Sequence, residues 1–131
     1  MSRPTKAAAL FQFFSEFLTA YEESSVYDME EPPEMPYLTY QLVTGAFDPD
    51  ASGTSLTVNL WYRSESYVPI NAKVEEISQA IGRHGVCLKC QGGRIIIRRN
   101  DANFAQTISD AADDKIKRKL INLNVEFYTN D

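Results

Sequence analysis

The sequence predicts an α+β domain, with a sheet of about five mostly antiparallel or mixed strands and two helices packed on it. Two stretches place apolar residues at helical spacing, and five have the alternating or β-branched character of strands. The 131 residues suffice for one domain with its own core. We expect a single domain over residues 1–131 with the order α-β-β-α-β-β-β.

The first predicted element is an N-terminal helix that ends at residue 22. Pro4 suits its first turn, and an apolar stripe recurs at helical period: Leu10, Phe14, Phe17, Leu18 and Tyr21. Phe11 and Phe13 lie beside that stripe, so the helix has more apolar surface than one sheet face covers. These two rings either lie deep in a small core or contact another subunit.

An acidic, proline-rich segment over residues 23–36 is predicted to be an extended loop. Strands are predicted over residues 37–43 and 55–63, and the second alternates cleanly between apolar and polar positions. The polar loop between them, which contains Asp48 and Asp50, is long for a hairpin turn. Because such loops often carry contacts, we treat it as a candidate partner surface.

The second half of the chain predicts a helix, a hairpin and a long last strand. The helix spans residues 68–81 and is followed by Gly82, a residue suited to a helix C-terminus. Strands over residues 86–90 and 94–99 turn at residues 91–93, and the last strand covers 116–128. Residues 100–114 are predicted to be irregular, with a short helical turn after Asn103.

Charge is divided unevenly along the chain. The net charge is −5, yet residues 7–62 contain nine acids and no Lys or Arg, so the remainder carries +4. Such asymmetry usually concerns partners, and in a head-to-tail ring an acidic surface can meet a basic one. The residues we assign to a subunit or partner interface on this hypothesis are Arg94, Arg98, Arg99, Lys117, Arg118, Lys119, Glu22, Glu23, Glu30, Glu31, Asp48, Asp50, Phe11 and Phe13.

The bases of residues 94–119 form one positive patch if the hairpin lies beside the last strand. Nucleic-acid binding predicts such a patch, ideally with stacking aromatic residues between the bases. Neither of the two basic runs, residues 94–99 and 115–119, contains an aromatic residue, and a pI of about 4.9 opposes DNA binding. A small nucleic-acid-binding module is therefore the alternative function, and an exposed strand face or guarded sheet edge is the simplest explanation of the patch.

No catalytic, cofactor or metal site is predicted. The sequence has no Gly-x-Ser-x-Gly nucleophile elbow and no phosphate-binding loop. His84, Cys87 and Cys90 are zinc-ligand types, but residues three apart on a strand point to opposite faces. Two cysteines and no expected signal peptide favour a reducing compartment, and no apolar run approaches the roughly 18 residues of a membrane span.

Several segments together resemble the neck or tail terminator proteins of tailed bacteriophages and prophages. The similarity extends from about Met35 to Tyr128, and its order and spacing are more specific than any one segment. The segments that carry it are Met35-Pro36-Tyr37-Leu38-Thr39-Tyr40, Trp61-Tyr62-Arg63-Ser64, Gly92-Gly93 before Ile95-Ile96-Ile97-Arg98, Asn103-Phe104-Ala105-Gln106, Ile116-Lys117-Arg118, and Ile121-Asn122-Leu123-Asn124-Val125-Glu126-Phe127.

The resemblance implies a structural virion protein without chemistry of its own. Such proteins form a hexameric ring that caps the tail tube, stops its growth and offers the surface to which the DNA-filled head docks. The implied partners are further copies of the chain, the tail tube protein and the head-completion or connector proteins, with DNA only as passing cargo. The implied location is the neck of the virion, after assembly in the host cytoplasm, without a membrane.

Overall fold

The computed structural model describes residues 3–43, 54–100, 104–108 and 113–129. In these ranges the chain forms three helices, α1 (Lys6–Ser15), α2 (Glu23–Tyr27) and α3 (Val68–Ile81). It also forms seven strands of one sheet: β1 (Thr19–Glu22), β2 (Tyr37–Val43), β3 (Thr54–Arg63), β4 (Val86–Cys90), β5 (Gly93–Arg99), β6 (Ala105–Ile108) and β7 (Ile116–Thr129).

The strand order of the sheet is β1-β2-β3-β7-β5-β4. β1 runs parallel to β2, and the other pairs are antiparallel, so the sheet is mixed. β6 also pairs with β7, and it must lie on the same side as β5 because β3 occupies the other side. The α+β class is confirmed, but the described chain has more strands than the five predicted.

Alternation along the central strands creates one apolar face. Leu56, Val58 and Leu60 on β3 are fully buried and lie opposite β7 residues of the same face. α1 packs on this side, since Phe14 stacks on Tyr40 with ring centroids 5.0 Å apart. α3 packs there too through three buried isoleucines, Ile70, Ile77 and Ile81. We call this side the helix face and the other side the opposite face.

The first helix is shorter than predicted. α1 begins after the Thr5 cap, whose hydroxyl accepts a hydrogen bond from the Ala8 backbone N–H, and it ends at Ser15. Residues 19–22, expected to be its last turns, instead form β1 and pair with Tyr37–Tyr40. The strand is favoured over the helix here because parallel pairing with β2 satisfies the backbone groups of β1 and buries Ala20 in the core.

The two phenylalanines beside the helical stripe have different environments. Phe13 is only 7% exposed and meets Phe14 and Phe17 edge-on, so it belongs to the core of the same chain. Phe11 is 49% exposed. Of the two explanations for these rings, burial within the chain holds for Phe13, and Phe11 alone remains available to a neighbour.

Two segments predicted to be irregular contain regular structure. The short helix α2 occupies residues 23–27 of the predicted 23–36 loop, and residues 28–36 form a loop as predicted. Where a helical turn was expected after Asn103, the chain forms β6, which lengthens the ladder on β7. A four-residue strand has too little alternation to be recognised without its partner. Asp48 and Asp50 lie outside the described residues.

The remaining predicted elements are confirmed. β2 spans residues 37–43, α3 spans residues 68–81, and β3 and β7 match the expected strands to within a residue. β4 and β5 form the predicted hairpin, and Gln91 and Gly92 make its turn, with Gly92 at φ +80°. Among the described helices, none has the length and apolar character needed to cross a membrane.

Candidate interface surfaces

The acidic segment, defined as residues 22–34, adjoins the β1 edge of the sheet. It holds six acids and no base, and most of its side chains are exposed. Two apolar side chains accompany the charges, Tyr27 at 77% exposure and Met29 at 38%. Within the described chain, no cation forms a salt bridge with any of these acids. The segment is therefore a charged surface with exposed apolar residues, not part of an internal ion network.

The other edge of the sheet carries a basic groove of about 480 Å³. Lys89 on β4 lies directly opposite Arg94 on β5, and both are exposed on the opposite face. Arg3 reaches the same place and donates a hydrogen bond to the Gly93 carbonyl at 3.4 Å. The residues that line the groove are Arg3, Cys87, Lys89, Gly92, Gly93, Arg94 and Tyr128.

Arg94 and Arg98 point to the opposite face, whereas Arg99 points to the helix face. The Arg94 guanidinium lies 5.5 Å from the centroid of the Tyr128 ring. Arg98 forms a salt bridge with Glu126 at 3.2 Å, which partly neutralises it. Arg99 donates a hydrogen bond to the Ser78 hydroxyl at 2.9 Å and so ties β5 to α3. Arg99 therefore has a structural role within the chain.

Arg118 completes an aromatic ladder across four strands of the opposite face. Its guanidinium lies 4.5 Å from the Trp61 ring, which stacks on Tyr37 at 5.8 Å, and Tyr37 meets Tyr21 edge-on. Arg118 Nε also donates to Asn59 Oδ1 at 2.9 Å, which satisfies a buried amide. Burial raises the pKa of Tyr37, an effect that the Arg118 charge opposes. The indole N–H of Trp61 is buried without an acceptor among the described groups.

Lys117 and Lys119 lie on the helix face near the start of α3. Their ammonium groups lie 5.0 and 5.7 Å from the centroid of the ring of Tyr67, which immediately precedes α3. Lys119 also donates to the Thr107 hydroxyl on β6 at 2.6 Å, and Lys117 donates to the Asp114 carbonyl. Both lysines therefore contact groups within the same chain: Lys119 joins β7 to β6, and Lys117 binds the turn before β7.

The seven bases of residues 94–119 do not form the single positive patch that adjacency of the hairpin and last strand was expected to produce. β5 is indeed beside β7, but Arg98 pairs with Asn124, six residues from Arg118. At about 3.4 Å per residue this places them roughly 20 Å apart along the strand. Strand alternation then divides the bases between two faces. Although the basic runs contain no aromatic residue in sequence, the fold brings Trp61, Tyr67 and Tyr128 beside these bases.

Asp113 fastens the start of β7 to the end of β3. Its carboxylate accepts a hydrogen bond from the Lys115 backbone N–H at 2.9 Å and forms a salt bridge with Arg63 at 3.0 Å. The Lys115 N–H, followed by the Arg63 guanidinium, holds the pKa of Asp113 below its usual 3.8. This contact stabilises the sheet end and lies far from the basic groove.

His84, Cys87 and Cys90 do not converge. The Cys87 thiol is exposed in the basic groove, whereas Cys90 is fully buried on the helix face, as the spacing of three on a strand predicts. In the described ranges, no three His, Cys, Asp or Glu side chains gather where they could hold a metal ion. His84 contributes its backbone carbonyl, which accepts a hydrogen bond from Arg98 at 3.4 Å.

Sequence reasoning missed three residues of the basic groove: Arg3, Lys89 and Tyr128. Lys89 lay on the predicted hairpin, but the predicted three-residue turn over residues 91–93 would have paired it with Ile95, whereas the observed two-residue turn pairs it with Arg94. Arg3 had none, since 90 residues separate it from Gly93. Tyr128 was placed on the last strand, but its partner on β5 depends on a long-range pairing.

Comparison with protein-family models and with curated proteins finds no match for this chain.

Proposed function

We propose that the chain is a structural virion protein of the tailed-phage neck. In this proposal, copies assemble into a hexameric ring that terminates the tail tube and joins the tail to the DNA-filled head. The segments similar to tail terminator proteins support it, and three of them supply Tyr37, Trp61 and Arg118 to the aromatic ladder. The proposal assigns no catalytic step, cofactor or metal to the chain.

The observation that carries the ring is the placement of unlike charges at opposite edges of one sheet. The acidic segment adjoins β1, and the basic groove is built on β4 and β5 at the far end of the strand order. A ring needs head-to-tail contacts, in which each copy offers different surfaces to its two neighbours. Charge complementarity of this kind guides orientation and rejects the reverse pairing.

The acidic segment also suits a structure through which DNA passes. Negative charge on a channel wall repels phosphates and lets DNA slide, whereas a basic wall would retain it. The acidic segment and the loop with Asp48 and Asp50 are our candidates for the surfaces that meet the tube, the head connector or the channel.

Removal of the gene from a phage or prophage that carries it tests this function. We expect filled heads and tails of uncontrolled length that remain separate, because neither tube termination nor head docking takes place. Supplying the intact chain from a plasmid controls for effects on neighbouring genes and is expected to restore joined particles. Normal, infectious particles without the chain would contradict the proposal.

The alternative function, a small nucleic-acid-binding module that uses the bases of residues 94–119, gains support from one observation. Arg94 lies over Tyr128 and Arg118 over Trp61, and cations beside aromatic rings occur on surfaces that bind single strands. It predicts DNA or RNA affinity that falls steeply with salt. The neck-protein proposal predicts little affinity for the isolated subunit, so fluorescence anisotropy with a labelled oligonucleotide separates the two.

A further inference from the structure

We infer that the basic groove of one copy binds the acidic segment of the next copy. The inference rests on the ring in the proposed function and specifies which residues make its contact. It places the carboxylates of Glu30 and Glu31 against Lys89 and Arg94 of the neighbouring copy. Two different surfaces of the chain then become the two halves of one interface.

The groove is built in a way that calls for an anion. Lys89 and Arg94 are direct cross-strand neighbours, and like charges in that position repel each other. Arg3 adds a third cation, and none of the described residues that line the groove is acidic. Neither Lys89 nor Arg94 forms a salt bridge in the described part of the chain. A carboxylate-bearing ligand relieves this repulsion.

The acidic segment has the complementary properties. Asp28, Glu30 and Glu31 are exposed and form no ion pair with any described residue. Tyr27 and Met29 expose apolar area between these charges, which matches the half-exposed Tyr128 ring of the groove. Specific interfaces combine such apolar anchors with charged surroundings.

The segment is also restricted before it binds. Pro32 and Pro33 fix their own backbone φ angles, and a proline disfavours helical conformation in the residue before it. Less conformational entropy is therefore lost when a neighbour binds the segment.

Topology favours contact between copies over contact within one copy. The segment adjoins β1 and the groove lies on β4 and β5, and α1, which contacts both β1 and β4, lies between these two edges within one copy. An interface that joins different surfaces of identical chains is head-to-tail and forms a ring when its rotation closes. A nucleic-acid phosphate is the other anion that could enter the groove, and the experiment below distinguishes it.

The test reverses charge on each side of the proposed contact and then on both. Sedimentation velocity of the full chain measures self-association at low and moderate salt. We expect Lys89→Glu with Arg94→Glu, and separately Glu30→Lys with Glu31→Lys, to weaken association by about tenfold or more. A chain with all four changes is expected to associate again, because the complementary charges have exchanged places.

Matched controls change the same amount of charge outside the contact. Arg83→Glu with Lys115→Glu matches the groove variant, and Glu65→Lys with Glu75→Lys matches the segment variant, since all four residues are exposed and none lines the groove. We expect these controls to associate like the unaltered chain. Circular dichroism of every variant confirms that the fold is retained.

Three results would overturn the inference. One is unchanged association of both charge-reversed variants, and another is a monomeric unaltered chain at all concentrations and salts. The third is salt-dependent binding of a DNA duplex that only the groove variant loses, which would assign the groove to nucleic acid. None of these results depends on the gene-removal experiment, which tests the neck function separately.

Discussion

Arg118 is the residue that joins the polar and aromatic parts of the opposite face. It combines a hydrogen bond to the buried Asn59 amide with a position over Trp61, whose other side stacks on Tyr37. Charged hydrogen bonds to buried partners and cation–π contacts each contribute more than an exposed salt bridge does. Arg118 therefore stabilises the fold through its contacts with Asn59 and Trp61.

We predict that Arg118→Ala lowers the free energy of unfolding by about 2–3 kcal/mol, because Asn59 loses its partner and the indole loses its cation. Urea unfolding followed by the fluorescence of Trp61, the one tryptophan of the chain, measures the change. Arg83→Ala serves as the exposed control and is expected to stay within about 0.5 kcal/mol. Equal stability of the two variants would contradict the role of the ladder.

Asp113 gives the fold a dependence on acid pH. Its pKa is below 3.8 in the folded chain, first through the Lys115 N–H and then through Arg63, so the unfolded chain binds its proton more readily. The stability it contributes is present above pH 3.8 and is lost as pH falls through the lower folded pKa. We predict that the melting temperature of Asp113→Asn depends less on pH below pH 3.8 than that of the unaltered chain. The same pH dependence in both chains would contradict this role of Asp113.

At the level of single residues, the sequence predicted exposure and burial better than it predicted the partner of each side chain. The exposed character of Arg94 and the burial of Leu56 or Val58 follow from strand alternation alone. The partners of Arg99 and Arg118 do not, because Ser78 and Asn59 come from distant elements. Strand alternation therefore predicts the face on which a base lies, but not the group that it contacts.

Among the elements, α1 has two kinds of aromatic side chain. Phe14 is fully buried against Tyr40, whereas Phe11, one turn earlier and at the margin of the buried stripe, is about half exposed. α1 itself contacts both β1 and β4, and the Gln91 N–H donates to the Pro4 carbonyl at 2.8 Å. The helix thus connects the two edges of the sheet across the helix face.

We predict that Phe14→Ala costs about 3–5 kcal/mol of unfolding free energy, since it leaves a cavity between α1 and β2. Phe11→Ala is the matched control on the same helix, and we expect it to change the stability of the isolated chain by less than about 1 kcal/mol. Thermal or urea unfolding of both variants measures the difference. Similar losses would mean that Phe11 and Phe14 do not differ in burial as described.

Elements that carry their own periodicity were predictable, and elements that depend on a partner were not. β3, β7 and α3 each repeat an apolar pattern over ten or more residues. β1 and β6 have four residues each and exist because β2 and β7 offer a backbone ladder. The predicted end of the first helix was wrong for the same reason. Leu18 and Tyr21 continue the apolar stripe in the sequence, but α1 ends at Ser15 and β1 begins at Thr19.

At the scale of the whole molecule, charge separation follows from the strand order. The sequence predicted an acidic part and a basic part, but only the order β1-β2-β3-β7-β5-β4 places them at opposite edges. The same order spreads the bases of residues 94–119 over two faces, which weakens the case for a single nucleic-acid surface. A polar, directional subunit results, and this is the property that a ring requires.

Cryo-electron microscopy of intact tailed particles from a host that carries the gene tests the neck function most directly. We predict a ring of identical copies of this chain between the last tube ring and the head connector, with the acidic segment of each copy beside β4 and β5 of its neighbour. Particles that lack the chain at the head–tail junction, or hold it elsewhere as isolated subunits, would contradict that function.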